Sequence, residues 1–144
     1  MQIADVLAAK GSAVHTVRAD TAITDLLTML AAQGVGAVVV VDGDGTHPAG
    51  IVSERDVVRG LHARGAELLG ATVDSIMSRR LTTCRPGDRI EDLSVTMTEK
   101  RIRHIPVVDA DGALAGLVSI GDVVKNHIDQ LEEHRGQLEA YING

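Results

Sequence analysis

Two short segments carry the residues with the clearest chemistry, Ser53-Glu54-Arg55-Asp56 and Ser119-Ile120-Gly121-Asp122. Each follows an apolar run that begins with glycine, Gly50-Ile51-Val52 or Gly116-Leu117-Val118. A serine with an acid three residues on is a helix cap: the hydroxyl accepts from an early amide and the acid reaches back to the serine amide. The same geometry can hold a ligand. A helix N-terminus offers free amides that suit a phosphate, the serine hydroxyl can donate to it, and Asp56 or Asp122 can accept from both hydroxyls of a ribose. Capping and binding can coexist, and recurrence of the motif weighs toward binding.

The recurrence is part of a longer repeat. Thr16–Gly45 aligns with Thr83–Gly112 at an offset of 67, with ten identical pairs that include Ile23/Ile90, Asp25/Asp92, Leu26/Leu93 and Val40/Val107. One extra residue near Thr46–Pro48 changes the offset to 66, which pairs Gly50/Gly116, Ser53/Ser119 and Asp56/Asp122. Upstream, Ile3, Val6 and Leu7 match the spacing of Val73, Ile76 and Met77, so each repeat opens with a short helical turn.

Each half reads strand, helix, strand, strand, helix. Thr16-Val17 and Thr83-Cys84 are short strands. Ile23, Leu26, Leu27 and Leu30 recur at i, i+3, i+4, i+7, one face of a helix, and Ile90, Leu93 and Met97 repeat it. Asp88 and Glu91 resemble a capping box for that second helix. Ala37–Val41 and Ile105–Val108 suit buried strands, and Asp42–Gly45 and Asp109–Gly112 are turns. One half is too short to bury its sheet alone. The fold class expected is therefore α/β, of the α+β kind: two tandem β-α-β-β-α repeats packed sheet to sheet with pseudo-twofold symmetry, plus a C-terminal amphipathic helix. The first repeat spans 1–61, a linker 62–72, the second repeat 73–128 and a helical tail 129–144.

Arg103 and His104 stand where the first repeat has Gly36 and Ala37, so the halves are chemically unequal. An arginine beside a cleft grips phosphate oxygens in a bidentate manner, and a histidine adds a charge that depends on pH. Arg55 is a further phosphate candidate. The plainer reading is a solvated helix end, because Lys100, Arg101 and Arg103 cluster where cations are favoured. Lys10 and Arg80 likewise read as helix-end charges.

Composition narrows the field. The 144 residues are 44% hydrophobic and carry a formal charge of −6, and Tyr141 is the sole aromatic. Such a chain lacks the basic face and stacking rings that nucleic-acid partners demand. Its apolar runs are too short for a membrane span, and Met1–Lys10 lacks the pattern of a signal peptide. Cys84, alone, excludes an internal disulfide. The expected compartment is the cytoplasm. Asp42-Gly43-Asp44-Gly45 begins like a calcium loop, but His47 and Ser53 stand where glycine and glutamate are needed, so no metal site is expected. No catalytic constellation can be assembled, which weighs against a hydrolase using Asp56 or Asp122.

The duplicated Gly-h-h-Ser-x-x-Asp, with Ile102-Arg103-His104-Ile105-Pro106-Val107-Val108-Asp109, resembles the cystathionine-β-synthase-type (CBS) repeat family, whose paired repeats form a Bateman module. The resemblance covers residues 3–128. It implies a non-catalytic regulatory module that binds AMP, ATP or NAD between its repeats, in a homodimer, with the effector protein unnamed. Adenine, with no aromatic available, then lies among Val17, Val35, Ile102, Ile105 and Pro106, and Thr16 joins the nucleotide-binding candidates. Those aliphatic residues read equally well as core. A dimerisation module without a ligand is the rival reading. Val124, Ile128, Leu131, Leu138 and Ile142 form an interrupted apolar seam on the tail, to pack on its own chain or on a dimer mate.

Overall fold

The apolar stripe that starts at Ile23 folds as helix α2 (Ile23–Gln33), which buries Ile23, Leu26 and Leu30 and ends at Gly34 in the left-handed conformation, φ 62°. This is a computed structural model that describes residues 1–143. The matching helix α4 (Ile90–Lys100) buries Ile90, Leu93 and Met97 and ends at Arg101, also left-handed, at φ 54°. Glycine takes that conformation without steric cost, whereas a side chain strains it. Arg101 is the one non-glycine residue with positive φ among those described. Asp88 does not cap α4 as expected. Arg89 holds the cap position with no side-chain bond, and Asp88 accepts from the Arg85 amide at 2.8 Å.

Strands β1 (Thr16–Arg18), β2 (Ala37–Val41) and β3 (Pro48–Ser53) form one sheet in the order β1-β2-β3. Strands β4 (His104–Val108) and β5 (Leu114–Ser119) form the other. The two hairpins share a register: Ala37 pairs with Ser53 as His104 pairs with Ser119, with the same irregularity at Val40/Val41 and Val107/Val108. Thr83-Cys84, expected as a strand, makes only an isolated bridge from Cys84 to Val107. The reason is a proline. In the first repeat the Val39 amide donates to the His15 carbonyl at 3.2 Å. Its counterpart Pro106 has no N–H, so the ladder is cut.

Helix α3 (Glu54–Arg64) follows β3, and α5 (Ile120–Asn143) follows β5. The expected linker 62–72 is thus largely helical, since α3 runs on to Arg64 and a 3₁₀-helix occupies Gly65–Gly70. The expected boundary between 128 and 129 falls inside α5, so second repeat and tail share one helix; Gly144 of that tail lies outside the described residues.

Two hydrophobic clusters form, and the leading segments are exchanged between them. Helix α1 (Ile3–Lys10) inserts Ile3, Val6 and Leu7 among Ile90, Leu93, Ile105 and Val118 of the second repeat. The 3₁₀-helix Val73–Ser75 and Met77 pack instead with Val17, Leu26, Val38 and Val52 of the first. Backbone bonds fix the exchange: Ile3 donates to the Asp88 carbonyl and Val73 to that of Thr21, both at 2.8 Å. Gly50 and Gly116 are small for this reason. A Cβ on Gly50 would meet the Ser78 carbonyl at 2.5 Å, and one on Gly116 would meet Leu7 at 2.7 Å. β2 is buried along its whole length. Val38 and Val40 join the first repeat's cluster, while Ala37, Val39 and Val41 on the opposite face are covered as well, as packing of one sheet on the other requires.

Candidate functional site

Both Ser-x-x-Asp segments fold as capping boxes with the same dimensions. Asp56 Oδ2 accepts from the Ser53 amide at 2.8 Å and from Ser53 Oγ at 3.1 Å, and the Asp56 amide donates back to Ser53 Oγ at 3.3 Å. Asp122 and Ser119 repeat all three bonds at 2.8, 3.1 and 3.3 Å. The capping reading holds, and it leaves the Asp56 Oδ1 oxygen without a donor among the described residues. The Glu54 amide donates to the Gly36 carbonyl at 2.9 Å, so of the first three amides of α3 only that of Arg55 lacks an acceptor among the described residues.

A cavity of about 600 Å³ opens over this helix end. Ser53, Arg55 and Asp56 of the first repeat line it on one side, and Ile102, Arg103, His104 and Pro106 of the second on the other. The structure therefore brings Arg103 and His104 to the first repeat's Ser-x-x-Asp. Arg59, Arg80 and Arg101 line it too. Reading each charge as a helix end hid the last two; the repeat alignment, which pairs Arg80 with Lys10 and Arg101 with Gly34, carried the signal.

Other candidates lie elsewhere. Val17 and Ile105 are buried in the two hydrophobic clusters, and Val35 packs against the first, so these three are core residues rather than walls of the cavity. Thr16 is held in β1 opposite Val39, away from the cavity. Ser119 and Asp122 form a separate end, where Lys10 Nζ donates to Asp122 Oδ2 at 2.6 Å. Burial would raise the Asp122 carboxyl, but Lys10 and the Ser119 donors outweigh it and hold it below 3.8. His104 is pushed below 6.5, first by burial and then by Lys10 and Arg103, with Asp122 opposing. Its imidazole is therefore mainly neutral at pH 7.

Burial, with Asp88 adding to it, pushes the Cys84 thiol up to about 12, which makes it a poor nucleophile. At the first hairpin, Asp42, Asp44 and His47 bring ligand atoms within 4.8 Å of one another, a cluster the turn reading overlooked. Thr46 Oγ1 sits 2.8 Å from both Asp44 Oδ1 and His47 Nδ1, and His47 Nε2 donates to the Asp111 carbonyl at 3.2 Å. These groups fasten one hairpin turn to the other. Among the described residues no helix is long and apolar enough to cross a membrane.

The CBS-domain family model matches twice, over residues 5–63 and 73–129. The chain belongs to the CBS-domain family. This CBS pair is 35% identical to the CBS domain-containing protein CBSX3, mitochondrial, of Arabidopsis thaliana, over 149 aligned residues that take in 99% of the chain and 72% of that protein. Among solved structures it is similar to a CBS-domain protein of Agrobacterium tumefaciens, with a TM-score of 0.84 and 39% identity over 88% of this chain and 99% of that one. It is also similar to a CBS domain protein of Pyrobaculum aerophilum complexed with AMP, with a TM-score of 0.75 and 28% identity over 85% and 89% of the two chains. These matches establish a tandem CBS pair of mixed α and β structure.

Proposed function

We propose that this CBS pair senses nucleotide state by binding an adenine nucleotide, AMP, ATP or NAD, in the cavity between its repeats, without catalysing a reaction. The observation that carries this reading is the junction of the two halves. One cavity of about 600 Å³ is lined by Asp56, whose Oδ1 has no donor among the described residues, and by Arg55 from one repeat, and by Arg103 and His104 from the other. That volume lies inside the range of about 300–1,000 Å³ usual for small-molecule sites. Asp56 takes the ribose hydroxyls, the α3 N-terminus with Arg55 and Arg103 takes the phosphate, and Ile102 and Pro106 flank the adenine.

Asp122 takes a ribose in a second, weaker cleft, where Lys10 must first give up its hold. The module works as a homodimer, because Val58, Val124, Ile128, Leu131 and Leu138 stay exposed on α3 and α5. We propose the cytoplasm as its compartment. The effector is a partner protein whose docking responds to the ligand.

A thermal-shift panel of AMP, ADP, ATP, NAD, NADH and S-adenosylmethionine tests the reading. A bound nucleotide at one hundred times its Kd adds about 2.7 kcal/mol of stability. Asp56→Ala removes that shift. No shift with any of the six leaves a dimerisation module instead, and chromatography that finds hydrolysed nucleotide makes the protein an enzyme.

A further inference from the structure

Five arginines line the cavity, Arg55, Arg59, Arg80, Arg101 and Arg103, against two carboxylates, Glu54 and Asp56. The chain as a whole carries −6, so this cavity is a local inversion of its charge. All five are exposed. Among the described residues, ion pairs engage Lys10, His47, Arg89, Arg135 and the N-terminus, and none of these five. Unpaired like charges gathered at one place repel each other and raise the free energy of the unliganded fold.

The repeat shows how selective the gathering is. Under the pseudo-twofold relation the counterparts of Arg55, Arg59, Arg80, Arg101 and Arg103 are Gly121, Lys125, Lys10, Gly34 and Gly36. Three of the five are glycine, and Lys10 is neutralised by Asp122 at 2.6 Å. Arg101 is the most telling. It occupies the left-handed helix end that Gly34 fills in the first repeat, at φ 54° against 62°. An arginine there strains the backbone where glycine would not. This strained position places it on the wall of the cavity.

A single phosphate monoester carries a charge of about −1.5 to −2, which two arginines neutralise. Five arginines exceed that need. We infer that this cavity selects ligands with a chain of two or more phosphates, a nucleoside triphosphate ahead of its monophosphate. Arg80 and Arg101 would grip the distal phosphates. This rests on the proposed nucleotide reading of the same cavity and adds the phosphate count to it.

Calorimetric titrations in metal-free buffer with adenosine, AMP, ADP, ATP and inorganic tripolyphosphate test the inference. ATP is expected to bind at least about tenfold tighter than AMP, a step of about 1.4 kcal/mol. Arg101→Gly relieves the left-handed strain, so it should melt at or above the wild-type temperature while losing most of the ATP preference and keeping adenosine affinity. Arg80→Ala should lose ATP preference in the same way. Tripolyphosphate alone should bind the wild type and fail on the Arg80→Ala, Arg101→Gly double variant. Equal affinity for AMP and ATP overturns the inference and leaves the nucleotide reading standing. Binding of tripolyphosphate without adenosine or AMP supports the inference and overturns the adenosine reading. An undiminished ATP preference in both single variants also overturns it.

Discussion

Lys10 Nζ lies 2.6 Å from Asp122 Oδ2, which joins the last turn of α1 to the first turn of α5 across 112 positions of sequence. The pair exists because α1 packs on the second repeat, not on its own. Lys10→Ala should lower stability by about 1 kcal/mol at pH 7, as a partly exposed ion pair implies. The Asp122 carboxyl is held below 3.8, so its contribution is complete above that value and is lost as pH falls through the folded value. Urea unfolding of wild type and Lys10→Ala should therefore differ at pH 7 and converge toward pH 2. A constant gap across that range would separate the pair from the stability of the fold.

The exchanged leading segments make the two matched glycines unequal in their tolerance. A Cβ on Gly50 meets a backbone carbonyl, that of Ser78, which cannot turn aside. A Cβ on Gly116 meets the branched end of the Leu7 side chain, which can. Overpacking of this kind costs about 1–3 kcal/mol. Gly50→Ala should fall at the upper end and Gly116→Ala at the lower, as denaturant midpoints will report. The reverse order would mean that α1 is the more rigid of the two segments.

Much of this fold was legible in the residues, and the gaps have physical causes. The period of the apolar positions places α2 and α4 because a helix buries one face, whatever it packs against. The period says nothing about which half a leading segment joins, so the exchange of Ile3–Leu7 and Val73–Met77 was invisible. The loss of the Thr83-Cys84 strand was written at Pro106, but only once Val39 is known to donate from the matching position. The Ser53/Asp56 box was legible as a cap, because three bonds within four residues decide it. Arg80 and Arg101 were not, since a cation at a helix end satisfies a local rule and conceals a distant cavity.

The seam on α5 argues for assembly. Val124, Ile128, Leu131 and Leu138 are 48–57% exposed along one helix, and the other described residues leave them uncovered. The repeat relates Val58 of α3, 64% exposed, to Val124, so both helices present the same feature. An isologous pairing of such faces is the common solution. Light scattering should give twice the chain mass, and Ile128→Glu with Leu131→Glu should halve it without unfolding the chain. A wild-type monomer at micromolar concentration would remove this argument.

His47 ties the two hairpins through its Nε2 donation to the Asp111 carbonyl, and that bond raises its pKa above 6.5, aided by Asp44 and Asp42 and opposed by desolvation. When protonated, Nδ1 becomes a donor 3.5 Å from Asp44 Oδ2 and 4.0 Å from Asp42 Oδ2. A raised folded pKa stabilises fully below 6.5, and the effect is lost as pH rises through the folded value. Nuclear magnetic resonance titration should place His47 above 6.5. His47→Ala should cost more stability at pH 5.5 than at pH 8.5.

His104 should couple phosphate binding to proton uptake. In the free protein its pKa is below 6.5, from burial first and then from Lys10 and Arg103, with Asp122 acting the other way. His104 lines the cavity that Arg55 and Arg103 also line, and its ring feels Lys10 and Asp122 of the second Ser-x-x-Asp end, so a phosphate bound at either end adds negative charge within reach of the ring. That charge favours the imidazolium and lifts the pKa toward or past its ordinary value. Near pH 6.5 the free protein holds a neutral ring and the complex a partly protonated one, so AMP binding takes up a fraction of a proton. Adenosine lacks the phosphate and should take up none. Calorimetry of AMP at pH 6.5 in two buffers of different ionisation enthalpy reads the uptake directly. It should vanish in His104→Gln and at pH 9, where the ring stays neutral in both states. Uptake that persists in His104→Gln would assign the proton to the phosphate itself, whose second ionisation lies near 6.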